Sequence, residues 1–377
     1  NNKNINNTLM DNSENKKKPS LRNSCGSPFY QTFYQSAGTF CMDFYNPQQE
    51  QAFSFPSDYN RRLDFETGLA SVSFSKEYSM PSTADFSSNT RASSVTYTRE
   101  VFASAFSDVL VIHISASIPK SLYLNAYFDR GPFMSRAYNL SDDTIVMQDT
   151  HGIPFAALAT AISFGGSVSA TSSGLTIEAA DEVTIFIDIQ TAYRKGHYFR
   201  KNGNVHKNLS SLASLCSDLA LKNICFASAS PYTEVYENHV AEYREKFFAS
   251  TLSLLDENEK DESLLPTDTF FTKKTKTPAF WELYWKFCHY LYISSCTRRA
   301  SLPISERGLW SSDMMESERG RFSLSPDAIW FLSFGGRIEK WLLKVCRQGR
   351  ETARLMYGLE GLAAHNSLDI WGDTVFN

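Results

Sequence analysis

From Phe29 to about Ala192 the chain alternates apolar and polar positions in short runs. Leu110, Ile112, Ile114, Ala116 and Ile118 share one parity. So do Leu122, Leu124, Ala126 and Phe128, and again Val183, Ile185, Ile187 and Ile189. A period of two puts each set on one face of a strand. Pro119-Lys120, Gly131-Pro132 and Gly165-Gly166 break the runs where turns belong. Several short strands with such punctuation predict an antiparallel β-sandwich.

After Tyr193 the period lengthens to that of a helix. Leu209, Leu212, Leu215 and Leu219 step by three and four. Tyr236, Val240, Tyr243 and Phe247 share a face, with Thr233 placed to cap the start. The polar stretch from Asp256 to Thr277 reads as a solvated connector. Ala279 to Ile293 is apolar nearly all round and too short to cross a bilayer, so it predicts a helix wrapped by other helices. Arg337 to Arg347 and Arg350 to Tyr357 continue the helical pattern. The expected organisation is a multidomain β + α chain. Residues 1–24 form an Asn/Lys-rich disordered lead-in, 25–200 the sandwich, 201–278 a helical linker and 279–377 an incomplete helical domain. Such an apolar first helix needs more partners than these residues supply, so the chain reads as cut off.

Composition narrows the class. The 377 residues are 42% apolar and 21% charged, enough to bury a core. A formal charge of -4 argues against nucleic acid or an anionic membrane as partner, and no apolar run approaches a spanning helix. No leader peptide is visible, and the compartment stays unassigned. Seven cysteines without a C-x-x-C pair suggest neither a disulfide framework nor a zinc site. His113, within a strand, is expected to be half-exposed on the sandwich. His151, His197 and His206 lack partners at metal spacing. Asp142-Asp143 and Asp181-Glu182 sit at strand ends or turns, where exposed carboxylates are usual. Neither Gly165-Gly166 nor Gly335-Gly336 has the phosphate-cradle pattern, and Ser294-Ser295-Cys296 has no elbow motif. No metal and no cofactor is implied.

Longer motifs carry a resemblance. Arg62 to Phe74, Tyr97 to Ser104, and Glu182-Val183-Thr184 leading to Thr191-Ala192-Tyr193-Arg194 resemble the N-terminal sandwich of glycoside hydrolase family 95. Tyr290 to Ser295 and Leu302-Pro303 through Gly308-Leu309-Trp310 look like the entry to its (α/α)6 barrel. Ala353 to Gly358, then His365 and Asp369-Ile370-Trp371-Gly372-Asp373-Thr374, match it most sharply. The resemblance spans about Phe29 to Thr374 in the family's order.

That resemblance implies an inverting α-L-fucosidase-type hydrolase acting on α-1,2-linked fucose, with a fucosylated oligosaccharide or glycan as partner. Its members are often secreted. The family's general acid is a Glu beyond the Trp-Gly-Asp-Thr motif, and no residue before Asn377 matches it. Its two water-holding Asn positions fall on Ser325 and Asp327 here, which do not reproduce a pair of amides. His365, Asp369, Trp371 and Asp373 stand where the family lines its sugar pocket, while Asn366 and Ser367 replace its second His and its Asn. Without the family, Asp369 and Asp373, four apart, read as residues that cap a helix end or ion-pair with a cation there. The isolated chain is therefore expected to be inactive, or a non-catalytic or degenerate remnant of the family.

Overall fold

A computed structural model describes residues 36–45, 47, 56–79, 92–131, 136–150, 153–195, 209–254, 266–272, 277–295, 339–365, 368, 372 and 374. The lead-in at 1–24, His151, His197, His206, the charge run at 256–262, Ser325, Asp327, Asp369, Trp371 and Asp373 lie outside the described residues. The chain divides into two compact units, Ala37–Ser294 and Asn1–Ser36 with Ser295–Asn377.

In the first unit twelve described strands build two antiparallel sheets. The smaller has the order β1 (Thr39–Phe44), β6 (Leu122–Asp129), β11 (Gly174–Ala180), β10 (Ser167–Thr171). The larger runs β2 (Ser57–Asp64), β3 (Leu69–Ser79), β4 (Ala92–Ser104), β5 (Val109–Ala116), β12 (Glu182–Thr191), β9 (Phe155–Phe164), β8 (Thr144–Asp149), β7 (Arg136–Asn139). Register follows the alternation: Ile114 pairs with Val183 and Ile112 with Ile185. These residues share one core with Leu122, Leu124, Ala126, Leu175 and Ile177 of the smaller sheet. The predicted sandwich is the observed one.

The inward stripe of β12 stops at Ile187. Ile189 keeps the parity but is 45% exposed, because the pairing with β5 ends at Ile187–Leu110 and β12 runs on beyond it.

The opposite face of the larger sheet is also covered. Glu100, His113 and Thr184 sit side by side across β4, β5 and β12, followed by Phe102, Val111 and Phe186. Helix α1 (Leu209–Ser228) packs on β12, β9 and β8, burying Leu212, Cys216, Ala220 and Ile224. Helix α2 (Tyr232–Phe247) lies against β4. Its buried face is Val235, His239, Tyr243 and Phe247, one step round from the expected stripe. Pro231 forms its N-cap, with no side-chain cap bond, and Thr233 is exposed. The face shifts because Tyr232 and Tyr236 lie beside Phe102 of the sheet while His239 stacks on it at 4.5 Å.

The connector holds a short helix, α3 (Thr267–Thr272), before α4 (Pro278–Ser294). Of α4, Ala279, His289 and Ile293 are buried, whereas Trp281 and Tyr284 are about half exposed. Among the described residues, the side of α4 that carries Trp281 and Tyr284 is the exposed one. Phe287 and Tyr290 pack beside Phe65.

In the second unit, helix α5 (Glu339–Thr352) continues into a wider turn, Ala353–Tyr357, so two predicted helical stretches are one. Gly358, with φ of 66°, ends it in the left-handed conformation that stops helices.

Candidate functional site

The segment after α5 is where the candidate sugar-lining residues fall. Trp341 and Val345 of α5 form a small core with Leu368. The chain turns back across the helix, where Ala363 N–H donates to Gly349 O at 3.0 Å. Gly372, at φ +77°, passes so close that a Cβ there would meet Lys344 Cβ and Val345 N at 3.1 Å. A side chain would push the segment off the helix.

Thr374 is fully buried, as is Thr352, and their hydroxyls are 2.7 Å apart. His365 Nδ1 lies 2.6 Å from Thr374 O. A carbonyl only accepts, so Nδ1 carries the proton. In a neutral ring Nε2 then accepts, and Tyr357 OH, 2.7 Å away, donates to it. Leu368, Gly372 and Thr374 are thus anchored to the helix or to residues following it. In sequence, Asp369, Trp371 and Asp373 lie between these anchors. Of the expected site residues, His365 is the described one, and it contacts Tyr357 and Thr374. Tyr357, Thr352 and Thr374, which these contacts bring together with His365, are not among the expected site residues. Their sequence signal was the match around Ala353 to Gly358 and the Trp-Gly-Asp-Thr motif, which marks a neighbourhood without saying who touches whom.

A second concentration of titratable groups lies between the sandwich and α2. His113 is stacked under the Tyr232 ring at 3.8 Å, with Nδ1 2.9 Å from Thr184 Oγ1 and Nε2 3.7 Å from Glu182. It is covered by a helix, not half-exposed as expected, because α2 lies over the strand face that carries it. Tyr232 OH donates to Glu100 at 2.7 Å. Burial lowers the His113 pKa, against the pull of Glu182 and Glu100. Burial, reinforced by Glu100, raises that of Tyr232. Further along the face, burial raises the pKa of Asp188, which accepts from Gln190 and from Asn223 of α1. Each group is satisfied by a neighbour, the pattern of a docking seam rather than of an open site.

Asp181 and Asp143 behave as turn residues. Asp181 accepts from Lys120 N–H at 2.6 Å, and Asp143 from the hydroxyls of Ser141 and Thr144. Among the described residues no group of three or more His, Cys, Asp or Glu could hold a metal ion. No helix among them is long and apolar enough to cross a membrane.

Comparison with known proteins bears on both regions. The family "Glycosyl hydrolase family 65, N-terminal domain" matches residues 3–196. "Glycosyl hydrolase family 95 catalytic domain" matches residues 231–323. The first match takes in residues 3–24, whose composition reads as a polar lead-in. A curated protein, Alpha-L-fucosidase 2 of Arabidopsis thaliana, is 23% identical over 380 residues, which covers 90% of this chain. The chain spans 42% of that relative's length. Among solved structures, a provisionally named kojibiose phosphorylase from human microbiome superposes with a TM-score of 0.55 at 13% identity. That alignment covers 89% of this chain and 42% of the other, a likeness of fold alone.

Proposed function

Because the chain belongs to the glycosyl hydrolase family 65 N-terminal domain family and carries family 95 catalytic-domain sequence, we propose that it is part of an α-L-fucosidase-type glycoside hydrolase. Its substrate class is glycans ending in α-1,2-linked fucose. Residues 25–200 form the supporting sandwich, 201–278 the linker, and residues from 279 onward contribute to an (α/α)6 barrel. The observation that carries the reading is the family 95 match, joined to a likeness to a named α-L-fucosidase along nine-tenths of the chain.

The chemistry follows from the residues. An inverting hydrolase needs an acid on the leaving oxygen and a base activating water on the opposite face of the ring. Asp327 is the candidate base, with Ser325 able to hydrogen-bond the same water. Trp371 offers a flat apolar face to the sugar C–H bonds, and Asp369 and Asp373 accept from its hydroxyls. His365 belongs to the same lining segment. The 377 residues hold no match to the family's general acid, and acid–base catalysis alone is worth about 100- to 10,000-fold.

The chain by itself is therefore expected to bind fucose without turning it over. Incubation with an α-1,2-fucosylated oligosaccharide, followed by NMR of the products, tests this. Saturation transfer from the protein to L-fucose, stronger than to D-fucose, is the expected result. Release of fucose would refute the assignment of binding without turnover. Absence of any sugar contact would favour a remnant of the family that no longer engages glycans, which Ser325 and Asp327 in place of two amides also suggest.

A further inference from the structure

The eight-stranded sheet is roofed by α1 and α2, whereas the outer face of the four-stranded sheet meets solvent. Asp43, Asn125, Ser169 and Glu178 are exposed on it. Met42, Leu124, Ala126 and Ile177 point into the core, so the alternate residues of these strands point outward. They fall into three rows across the sheet. In the middle row Asp43 stands opposite Asn125, and Asn125 opposite Thr176, whose hydroxyl donates to Asn125 Oδ1 at 3.1 Å. On one side of it Tyr45 and Tyr123 meet edge to face at 5.8 Å, and Tyr45 OH donates to Glu178 Oε1 at 3.3 Å. On the other side Tyr127 stands opposite Cys41, with its hydroxyl hydrogen-bonded to Asp43. Gly174 begins β11 so close to Tyr127 that a Cβ there would meet Tyr127 Cβ at 2.9 Å. No side chain from β11 crowds the ring at that position.

A sugar offers two kinds of surface. Its C–H bonds stack on aromatic rings, and its hydroxyls donate to carboxylate and amide oxygens. Rings on either side of a hydrogen-bonding row match both. Tyr123 and Tyr127 are four residues apart on β6, about 13 Å along the strand, which suits linked sugars better than a single one. Asp43 and Glu178 are charged, and no Lys, Arg or His stands in the three rows. A phosphate, a sulfate or a nucleic acid would be repelled there, while a neutral polyol brings hydroxyl donors to the acidic oxygens. The rows also hold no Leu, Ile, Val or Met. Carboxylates at the centre without aliphatic anchors are the reverse of a protein–protein interface core.

We propose that this face is a binding surface for a neutral oligosaccharide, with Tyr123 and Tyr127 as stacking platforms and Asp43, Asn125 and Glu178 hydrogen-bonding its hydroxyls. It holds a glycan without cleaving it. The proposal goes beyond the reading of residues 365–374 as a sugar lining and does not rest on it. Bonds already made on the face, Tyr45 to Glu178 and Tyr127 to Asp43, set the rings in place before a sugar arrives. Each carboxylate keeps further lone pairs with which to accept from the ligand.

The test uses the 377-residue chain, isotope-labelled at its tyrosines and histidines and followed by NMR. Maltotriose, cellotriose and the α-1,2-fucosylated trisaccharide fucosyllactose serve as neutral probes, and a chondroitin sulfate tetrasaccharide as the anionic one. The ring signals of Tyr123 and Tyr127 are expected to shift with at least one neutral probe and to stay put with the sulfated one. Tyr127→Ala and Asp43→Ala should each weaken that binding about five- to tenfold. Little change in Tm is expected, since both side chains lie on the solvent side. Should either variant fail to fold, the wild-type ring signals decide alone. Rings unmoved by all three neutral probes would overturn the surface, as would binding that both variants leave intact or a preference for the sulfated probe. Concentration-dependent broadening of these rings without sugar would also overturn it, in favour of contact between copies of the chain. Shifts at His365 alone, with fucosyllactose, would uphold the reading of residues 365–374 and overturn this one. Tyrosine shifts without any at His365 would do the reverse.

Discussion

The two faces of the eight-stranded sheet are made by the same strands and solve different problems. On the inner face, Ile112, Ile114, Val183 and Ile185 meet Leu122, Leu124, Leu175 and Ile177 in an apolar layer. On the outer face the alternate residues include Glu100, His113, Thr184, Asp188 and Gln190; His113 bonds to Thr184 and Gln190 to Asp188 within the sheet, and the covering helices supply further partners. Tyr232 reaches Glu100, Asn223 reaches Asp188, and Ser217 accepts from Gln148. Burial of hydrocarbon is non-directional, so many apolar sequences could fill the inner layer. Each polar group on the outer face must find its own partner or lose its hydration uncompensated. The inner face therefore supplies stability and the outer face supplies register, fixing where α1 and α2 sit.

The largest expected effect is on the inner face. Ile114→Ala removes a fully buried side chain from the middle of the core and should cost about 2–5 kcal/mol in denaturant unfolding. A loss below about 1 kcal/mol would mean that the core collapses onto the gap and is less tightly packed than described.

The outer face should respond to pH where the inner face cannot. Desolvation lowers the pKa of His113, His239 and His289 below the ordinary 6.5. His239 donates Nε2–H to Thr67 O at 2.8 Å and His289 to Phe247 O at 3.1 Å, tying α2 to the β2–β3 turn and α4 to α2. The unfolded chain binds more protons than the folded one in this range. Stability is thus complete above pH 6.5 and is lost as pH falls through the folded pKa values. Asp188 works the other way, since burial raises its pKa and favours the folded state on acidification. The unfolding midpoint should fall between pH 7 and pH 5, and His239→Asn should flatten that slope. A midpoint that rises over the range would show that Asp188 outweighs the histidines.

The smallest of these effects is the loss of one polar tie. Tyr232→Phe keeps the ring stacked on His113 but removes the bond to Glu100. A cost of about 1 kcal/mol is expected, with Glu100 partly rehydrated. A neutral substitution would mean that register on the outer face is set by α1 rather than by α2.

The strands were legible because period two survives whatever packs above it, and the inward set through Ile187 reads straight off the chain. The buried face of α2 was not. Its pattern offers two overlapping stripes, and the one that wins is chosen at Phe102 of the sheet, on which His239 stacks at 4.5 Å with Tyr232 and Tyr236 beside it. His239 and His289 gave no signal of their own, since a single histidine on a helix has no periodicity. At the candidate site, His365 and Tyr357 stood out through the motifs they belong to, while Thr352 counted only as a helix residue and nothing paired the three.

The order of apolar and polar residues determined by itself that this chain makes an antiparallel sandwich followed by helices, because alternation dictates which side chains share a face. The family motifs were equally a property of the sequence. Only the tertiary structure decided that His113 lies beneath Tyr232 and that Thr374 is held by His365 and Thr352. Those contacts join residues from 9 to 119 positions apart, and the direction of a hydrogen bond is settled by where a partner stands in space, which no local pattern encodes.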